Sequence, residues 1–164
     1  MSPEDLLARL EALGVAQRTQ EHAAVFTVAE SQALRGALPG RHSKNLFLRR
    51  KEGGFALAVL EEHRQVSVNA LARLAGWGRV RMGSAEELRA TLGVEPGSVT
   101  PFGLVNAAPG SVAVALDAAL AEAPVAWFHP LVNTRSTGLA GAEMLRVLRE
   151  WGHAPQVLRL KEPL

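Results

Sequence analysis

Cysteine and tyrosine are both absent from this chain of 164 residues. Without cysteine there can be no disulfide, no thiolate metal site and no cysteine nucleophile. An extracellular origin is disfavoured only weakly by this, because a chain of this length needs no covalent staples. The missing tyrosine bears on charge. With neither Tyr nor Cys to titrate between about pH 8 and 10, a formal net charge of only +2 persists until lysines lose protons, which places the isoelectric point near 9.7. That value overstates the basicity. Long apolar runs are missing too: none approaches the ~20 residues of a membrane span, and the N-terminus is acidic and amphipathic rather than a basic leader. The expectation is a soluble cytoplasmic protein without a membrane partner. There is no Walker loop, Gly-x-Gly-x-x-Gly fingerprint, internal repeat or low-complexity tract, so no cofactor is expected. His22, His42, His63, His129 and His153 show neither short ligand spacing nor a nearby carboxylate pair, which argues against a metal.

What is present suffices for a core. Hydrophobic residues make up 48%, enough for one domain over residues 1–164 and too little chain for two comfortable ones. Ser2-Pro3-Glu4-Asp5 caps a first helix that Gly14 ends, with Leu6, Leu7, Leu10 and Leu13 on one face; residues 1–18 should pack over the core or one lip of a site. Thr27-Val28-Ala29-Glu30 reads as a capping box for a second helix, stopped by Gly36 and the Pro39-Gly40 turn. Strands are expected over Leu46–Arg50 and Phe55–Leu60, joined antiparallel through Lys51-Glu52-Gly53-Gly54. The second lacks polar alternation and should be covered on both faces. A helix over Val68–Ala75, a strand over Arg79–Met82 with outward arginines and a helix opened by Ser84-Ala85-Glu86-Glu87 follow. Val112–Leu116 and Val125–Phe128 are further apolar strands around a segment, Asp117–Ala123, too short for a stable helix by itself. Thr134–Ala140 reads as a strand, Ala142–Trp151 as a helix, and Gln156–Leu160 closes the sheet.

Chemistry concentrates in Gly40–Lys51. Pro39-Gly40 frees the backbone, Leu46, Phe47 and Leu48 anchor a strand, and Lys44 and Asn45 are expected at its mouth. An ammonium beside a carboxamide suits a polarised carbonyl or ester oxygen, although solvated Lys and Asn at a strand start are also common. Arg41, Lys44, Arg49, Arg50 and Lys51 cluster here, and Arg79 and Arg81 form a second basic pair opposed by no local acid, a pattern open to either a phosphate-facing patch or ordinary solvated charge. The loop Gly97-Ser98-Val99-Thr100-Pro101 can turn backbone N–H groups toward an oxyanion or simply make a turn. A triad of Ser98, His129 and Asp117 has no nucleophile elbow to support it. His129 stands where a strand ends and Pro130 turns the chain, as a ligand contact or as a cap.

Three linked motifs, Lys44-Asn45, Gly97 to Pro101, and His129-Pro130 to Asn133, resemble the Lys-Asn strand start, Gly-x-x-x-Pro loop and His-Pro-x-x-Asn segment of one family. From about Thr19 to Leu160 the chain looks like the free-standing prolyl-tRNA editing proteins of the YbaK-like superfamily, the branch that deacylates alanyl-tRNA(Pro). The resemblance implies an α/β domain whose mixed, largely antiparallel sheet curls around a pocket and is flanked by helices. It implies hydrolysis of alanine esterified to the terminal ribose of tRNA(Pro), with Lys44 as the catalytic residue. Asn45, Gly97, Ser98, Val99, Thr100, Pro101 and His129 would bind substrate, and Arg49, Arg50, Arg79 and Arg81 acceptor-stem phosphates. Partners would be the tRNA(Pro) acceptor end and prolyl-tRNA synthetase, not DNA. Deacylation of another small aminoacyl-tRNA, seryl or cysteinyl, and a catalytically silent tRNA-binding module remain as alternatives; cysteine-editing relatives usually carry Lys-Thr where this chain has Lys44-Asn45. The chain departs from the family at Gly141 and Glu143, where Ser and Asp are usual, and at Arg135 and Gly138.

Overall fold

A computed structural model describes residues 1–24 and 28–161. Helix α1 (Pro3–Ala12) opens with the expected reciprocal cap, Ser2 Oγ accepting the Asp5 N–H and the Asp5 carboxylate accepting the Ser2 N–H. The linker expected next contains a strand, β1 (Arg18–Glu21), which is too short and polar to show a period. Helix α2 (Val28–Ala37) follows; the capping box read at Thr27–Glu30 includes Thr27, which lies outside the described residues. Then come β2 (Arg41–Arg50), β3 (Phe55–Glu61), α3 (Val68–Ala75), β4 (Val80–Met82) and α4 (Ala85–Leu92). Ser67 and Ser84 cap the two helices through the Ala70 and Glu87 N–H groups. A 3-10 turn over Pro101–Asn106, started by Thr100, leads into β5 (Val112–Asp117). A single turn, α5 (Ala118–Ala121), forms after β5 because the Asp117 carboxylate accepts the Ala119 N–H and the turn is buried; tertiary packing supplies what its length cannot. The chain ends with β6 (Ala126–Phe128), β7 (Arg135–Leu139), α6 (Gly141–Glu150) and β8 (Gln156–Leu158).

The strands form one mixed sheet in the order β1-β7-β6-β2-β3-β5-β8, with β4 also on β2. The β1–β7, β2–β3, β2–β4 and β6–β7 pairs are antiparallel, and β2–β6, β3–β5 and β5–β8 are parallel. Strand β3 is covered on both faces as its unbroken apolar run requires: Ala56 to Leu60 are at most 1% exposed. Its residues divide by the two-residue period. Leu57 and Val59 join a core with Leu6, Leu10, Leu92, Phe102, Met144 and Leu148. Ala56, Ala58 and Leu60 join Leu71, Ala72 and Trp77 on the other face.

Strand β2 is the pivot of this sheet. One edge pairs with β3 along its length, Ser43 opposite Glu61 through Arg49 opposite Phe55. The other edge is shared: Arg41 and His42 pair with β6 at one end, and Leu48 to Arg50 with β4 at the other. Between them lies a window in the sheet, narrowed by the Gly83 N–H, which donates to the Phe47 carbonyl at 2.8 Å.

Two departures from the resembling family have packing causes. A Cβ on Gly141 would stand 1.8 Å from the Leu120 carbonyl oxygen, so only glycine lets α6 start against α5. Ala140, not Gly141, is the N-cap, and it has no capping side chain. At Gly138 a Cβ would press into the Trp127 ring at 2.9 Å.

Candidate functional site

Strand β2 starts at Arg41, so Lys44 and Asn45 lie inside it rather than at its mouth. The expectation fails because Arg41–Asn45 is polar and shows no apolar period, while pairing with β3 and β6 makes it strand regardless. Successive residues of a strand face opposite ways. Lys44 sits opposite Leu60 on the face with Leu46 and Leu48, whereas Asn45 sits opposite Val59 on the face with Phe47. The two groups therefore flank the window from its two sides and do not form a side-by-side pair. Lys44 Nζ donates to the Arg64 carbonyl. Asn45 Nδ2 donates to Ser43 Oγ at 3.3 Å, and Ser43 Oγ to the Trp127 carbonyl at 2.9 Å. Asn45 Oδ1 is buried without a partner among the described residues.

The backbone at Asn45 is also turned to the window. The Glu62 N–H donates to the His42 carbonyl and the Arg50 N–H to the Gly54 carbonyl, so the even-numbered residues of β2 bond to β3. By the same alternation the odd-numbered ones face outward. Arg41 bonds Val125, Phe47 receives Gly83, and the N–H and C=O of Asn45 point to the stretch of edge that no strand covers.

A cavity of about 200 Å³ opens at the end of β2 that pairs with β6, lined by His42, Ser43, Glu62, Trp127, His129 and Ser136 together with Leu34 and Phe128; Lys44, Asn45 and the Gly97–Pro101 loop are not among its lining residues. His129 is one wall. Its Nδ1 lies 3.2 Å from the Arg135 carbonyl, which makes Nδ1 the protonated nitrogen and leaves the Nε2 lone pair as an acceptor. Burial, and after it the neighbouring His22 and His42, lower the His129 pKa against the opposing pull of that carbonyl, so the ring is neutral at pH 7. Arg135, unusual for the resembling family, is held by Glu4 at 2.8 Å. His22 joins the group through Ser136 Oγ at 2.8 Å, and the His42 ring stacks on Trp127.

The Gly97–Pro101 loop meets the His129–Asn133 segment. A Cβ on Gly97 would stand 3.5 Å from Asn133 Nδ2, and Phe102 and Phe128 pack edge to face at 6.0 Å. Within that segment Leu131 has φ 71, a left-handed conformation that costs roughly 1–2 kcal/mol outside glycine. The loop is more internally committed than its sequence suggests. The Ser98 N–H donates to the Glu95 carbonyl, and Thr100 Oγ1 accepts the Phe102 N–H as a cap. Val99 packs against the core, and Pro101 carries no N–H. Among the described residues the Gly97, Val99 and Thr100 amides take no part in these bonds. A Ser98–His129–Asp117 triad is not assembled: Asp117 is bonded to Arg64, and His129 to the Arg135 carbonyl.

Arg49, Arg50, Lys51, Arg79 and Arg81 converge on a second cavity of about 400 Å³ at the far end of β2, about 17 Å from Lys44 at the rise of a strand. Arg49 lies over the Phe55 ring at 4.9 Å. Arg81 is not unopposed, contrary to the sequence reading: it forks onto Glu87 at 2.8 and 3.0 Å, and its guanidinium lowers the Glu87 pKa to about 2. Glu87 is six residues away along the chain and faces Arg81 only once α4 folds back. One histidine, His63, does have a carboxylate pair beside it, contrary to the expectation from the sequence. Ligand atoms of Glu61, Glu62 and His63 lie within 4.8 Å of one another, yet Glu61 is already spent on the His63 N–H and Nδ1 at 2.9 and 2.7 Å, and the arrangement carries no metal assignment. Among the described residues no helix is long and apolar enough to cross a membrane.

His42 and Ser43 line the cavity although the sequence pattern singles out only their neighbours Lys44 and Asn45; a strand that starts at Arg41 puts Ser43 on one face with Asn45.

Comparison with known proteins bears on family and fold. The aminoacyl-tRNA editing domain matches residues 22–147. A Bos taurus protein called prolyl-tRNA synthetase associated domain-containing protein 1 is 36% identical over 155 residues, covering 92% of this chain and 90% of its own. The prolyl-tRNA editing protein ProX of Acetoanaerobium sticklandii is 24% identical over 156 residues, covering 94% and 95%. A solved structure described as a candidate trans-editing enzyme for prolyl tRNA synthetase superposes with a TM-score of 0.75 at 24% identity, covering 99% of both chains, and shares the fold. The chain belongs to the aminoacyl-tRNA editing domain family, with the YbaK-like fold that its three motifs suggested.

Proposed function

We propose that this protein hydrolyses alanyl-tRNA(Pro) in trans, releasing alanine and free tRNA(Pro). The observation that carries the reading is the 200 Å³ cavity walled by neutral His129 at the β6-paired end of β2. A synthetase pocket built for proline cannot strongly reject a smaller amino acid, so a second and smaller sieve corrects it. The names of the Bos taurus and Acetoanaerobium sticklandii relatives support proline as the amino acid whose charging is corrected.

In this mechanism water adds to the ester carbonyl, the ribose oxygen leaves and takes up the proton that water gives up. No side chain of the three motifs serves as general base, so positioning and charge supply the rate, with a ribose hydroxyl helping to activate the water. Lys44, tethered through one N–H to the Arg64 carbonyl, holds the ester or phosphate end electrostatically with the rest of its ammonium. Asn45 orients the aminoacyl group with its unpartnered Oδ1 and its outward backbone. The amides of Gly97, Val99 and Thr100 stabilise negative charge developing on the carbonyl oxygen. His129 limits the depth of the cavity, and its Nε2 lone pair accepts from the substrate ammonium. Arg49, Arg50 and Arg79 take acceptor-stem phosphates, with Arg81 contributing less while Glu87 holds it.

The test is a deacylation panel of alanyl-, seryl-, cysteinyl- and prolyl-tRNA(Pro) with the native protein and Lys44→Ala. Release of alanine faster than of the other three amino acids, nearly abolished in a folded Lys44→Ala protein, is expected. Binding of alanyl-tRNA(Pro) without turnover would establish a silent module, and faster cleavage of the seryl or cysteinyl ester would reassign the substrate.

A further inference from the structure

We infer that Asp117 and Arg64 are positioning residues for Lys44, clamping the carbonyl that aims its ammonium. The inference rests on the role given to Lys44 above.

Lys44 has one hydrogen-bond partner among the described residues, the Arg64 carbonyl. That carbonyl belongs to the turn after β3, a segment without a ladder of its own. Its geometry is set from below. Asp117, at the end of the neighbouring strand β5, is 1% exposed and receives four hydrogen bonds. Arg64 Nε donates to Oδ2 at 2.9 Å and Arg64 Nη2 to Oδ1 at 3.2 Å. The Glu61 N–H donates to Oδ2 and the Ala119 N–H to Oδ1, each at 3.0 Å. A carboxylate has about four acceptor positions, so this one is saturated, and the Arg64 fork fixes direction as well as distance. The Arg64 N–H donates to the Glu61 carbonyl at 3.1 Å and closes the turn. Both ends of the turn are thereby tied to one buried carboxylate, and the Arg64 carbonyl has little room to move.

A flexible lysine stem gains from such a tether. Lys carries a compact charge on four rotatable bonds and loses rate if it samples many rotamers. A staple joining β3 to β5 for stability alone would satisfy Asp117 equally well, but it would have no reason to present a backbone acceptor to the ammonium of Lys44.

The two roles separate in a double-mutant cycle. Arg64→Met keeps the aliphatic stem, removes the fork and frees the turn. In the folded variant single-turnover deacylation of alanyl-tRNA(Pro) should fall at least tenfold, while affinity for uncharged tRNA(Pro) is unchanged. In a Lys44→Ala background the same substitution should cost nothing further, because the group it positions is gone. Acetylation of Lys44 by acetic anhydride, read by mass spectrometry against exposed Lys51, should rise roughly fivefold in Arg64→Met, the size of one net hydrogen bond. Full turnover in Arg64→Met, or a loss that multiplies fully with Lys44→Ala, overturns the inference. An unchanged Lys44 acetylation rate overturns it independently of the substrate. If Arg64→Met does not fold, Arg64→Lys keeps the charge and loses the fork, and the same outcomes decide. Full activity of Lys44→Ala would instead refute the role of Lys44, which is a different failure.

Discussion

The basic groove allows a quantitative test, because the structure separates cations that are free to meet phosphate from one that is not. Among the described residues Arg49, Arg50, Lys51 and Arg79 have no carboxylate partner, whereas Arg81 is forked onto Glu87. If each of the four neutralises one acceptor-stem phosphate, the slope of log K against log salt should be about −3.6, taking about 0.9 per contact on a duplex. Between 50 and 200 mM salt the affinity should then fall about 150-fold. Removing Arg79 as Arg79→Gln should reduce the slope to about −2.7 and the loss over that range to about 40-fold. Arg81→Gln should leave the slope nearly unchanged, since freeing Glu87 removes no uncompensated charge from the groove. Fluorescence anisotropy with labelled tRNA(Pro), titrated at four or five salt concentrations, reads all three slopes. Equal flattening by Arg79→Gln and Arg81→Gln would refute the pairing argument. A slope near zero for the native protein would remove the groove from the interface altogether.

Enlarging the cavity by His129→Ala should admit prolyl-tRNA(Pro), measured as its rate of deacylation, and slow alanine release through poorer positioning; rapid cleavage of the prolyl ester by the native protein would refute the sieve. Seryl-tRNA(Pro) should be cleaved within roughly a hundredfold of the alanyl ester, because one hydroxyl is a small extension and Ser43, Ser136 and His129 in the wall can hydrogen-bond to it. The lowered His129 pKa has a sign that can be worked out. Between the ordinary value of 6.5 and the lower folded one, the unfolded chain binds more protons, so stability rises with pH through that window and is lost as pH falls below 6.5. Denaturant titrations at stepped pH should show this slope in the native protein and a smaller one in His129→Gln. Gly141→Ala should be destabilising although alanine favours helix, since its Cβ would meet the Leu120 carbonyl oxygen at 1.8 Å. Overpacking against backbone costs about 2–3 kcal/mol, or about 5–10 °C in Tm for a chain of this size; an unchanged melting temperature by calorimetry would show that α5 yields.

Local chemistry was legible from the residues alone. Ser2 with Asp5 and Ser84 with Glu87 form the reciprocal caps that their spacing announces, because a cap needs only residues three apart. The β2–β3 hairpin and the doubly covered β3 followed from a Gly-containing turn and an unbroken apolar run. So did the family, through three short motifs. What the sequence could not decide is whatever depends on partners distant along the chain. β1 is a strand because β7, more than a hundred residues later, offers it a ladder, and α5 is a turn of helix because it is buried beside α6. The polar first half of β2 carries no period of its own, and its pairing with β3 and β6 decides both that it is strand and that Lys44 and Asn45 face opposite ways. Arg81 reads as free charge until α4 brings Glu87 to it, and the chain from Asp117 through Arg64 to Lys44 joins residues 53 and 20 positions apart. Periodicity and capping act within a few residues and survive in one dimension, while edge pairing, burial and ion pairing are set by neighbours that only the folded sheet supplies.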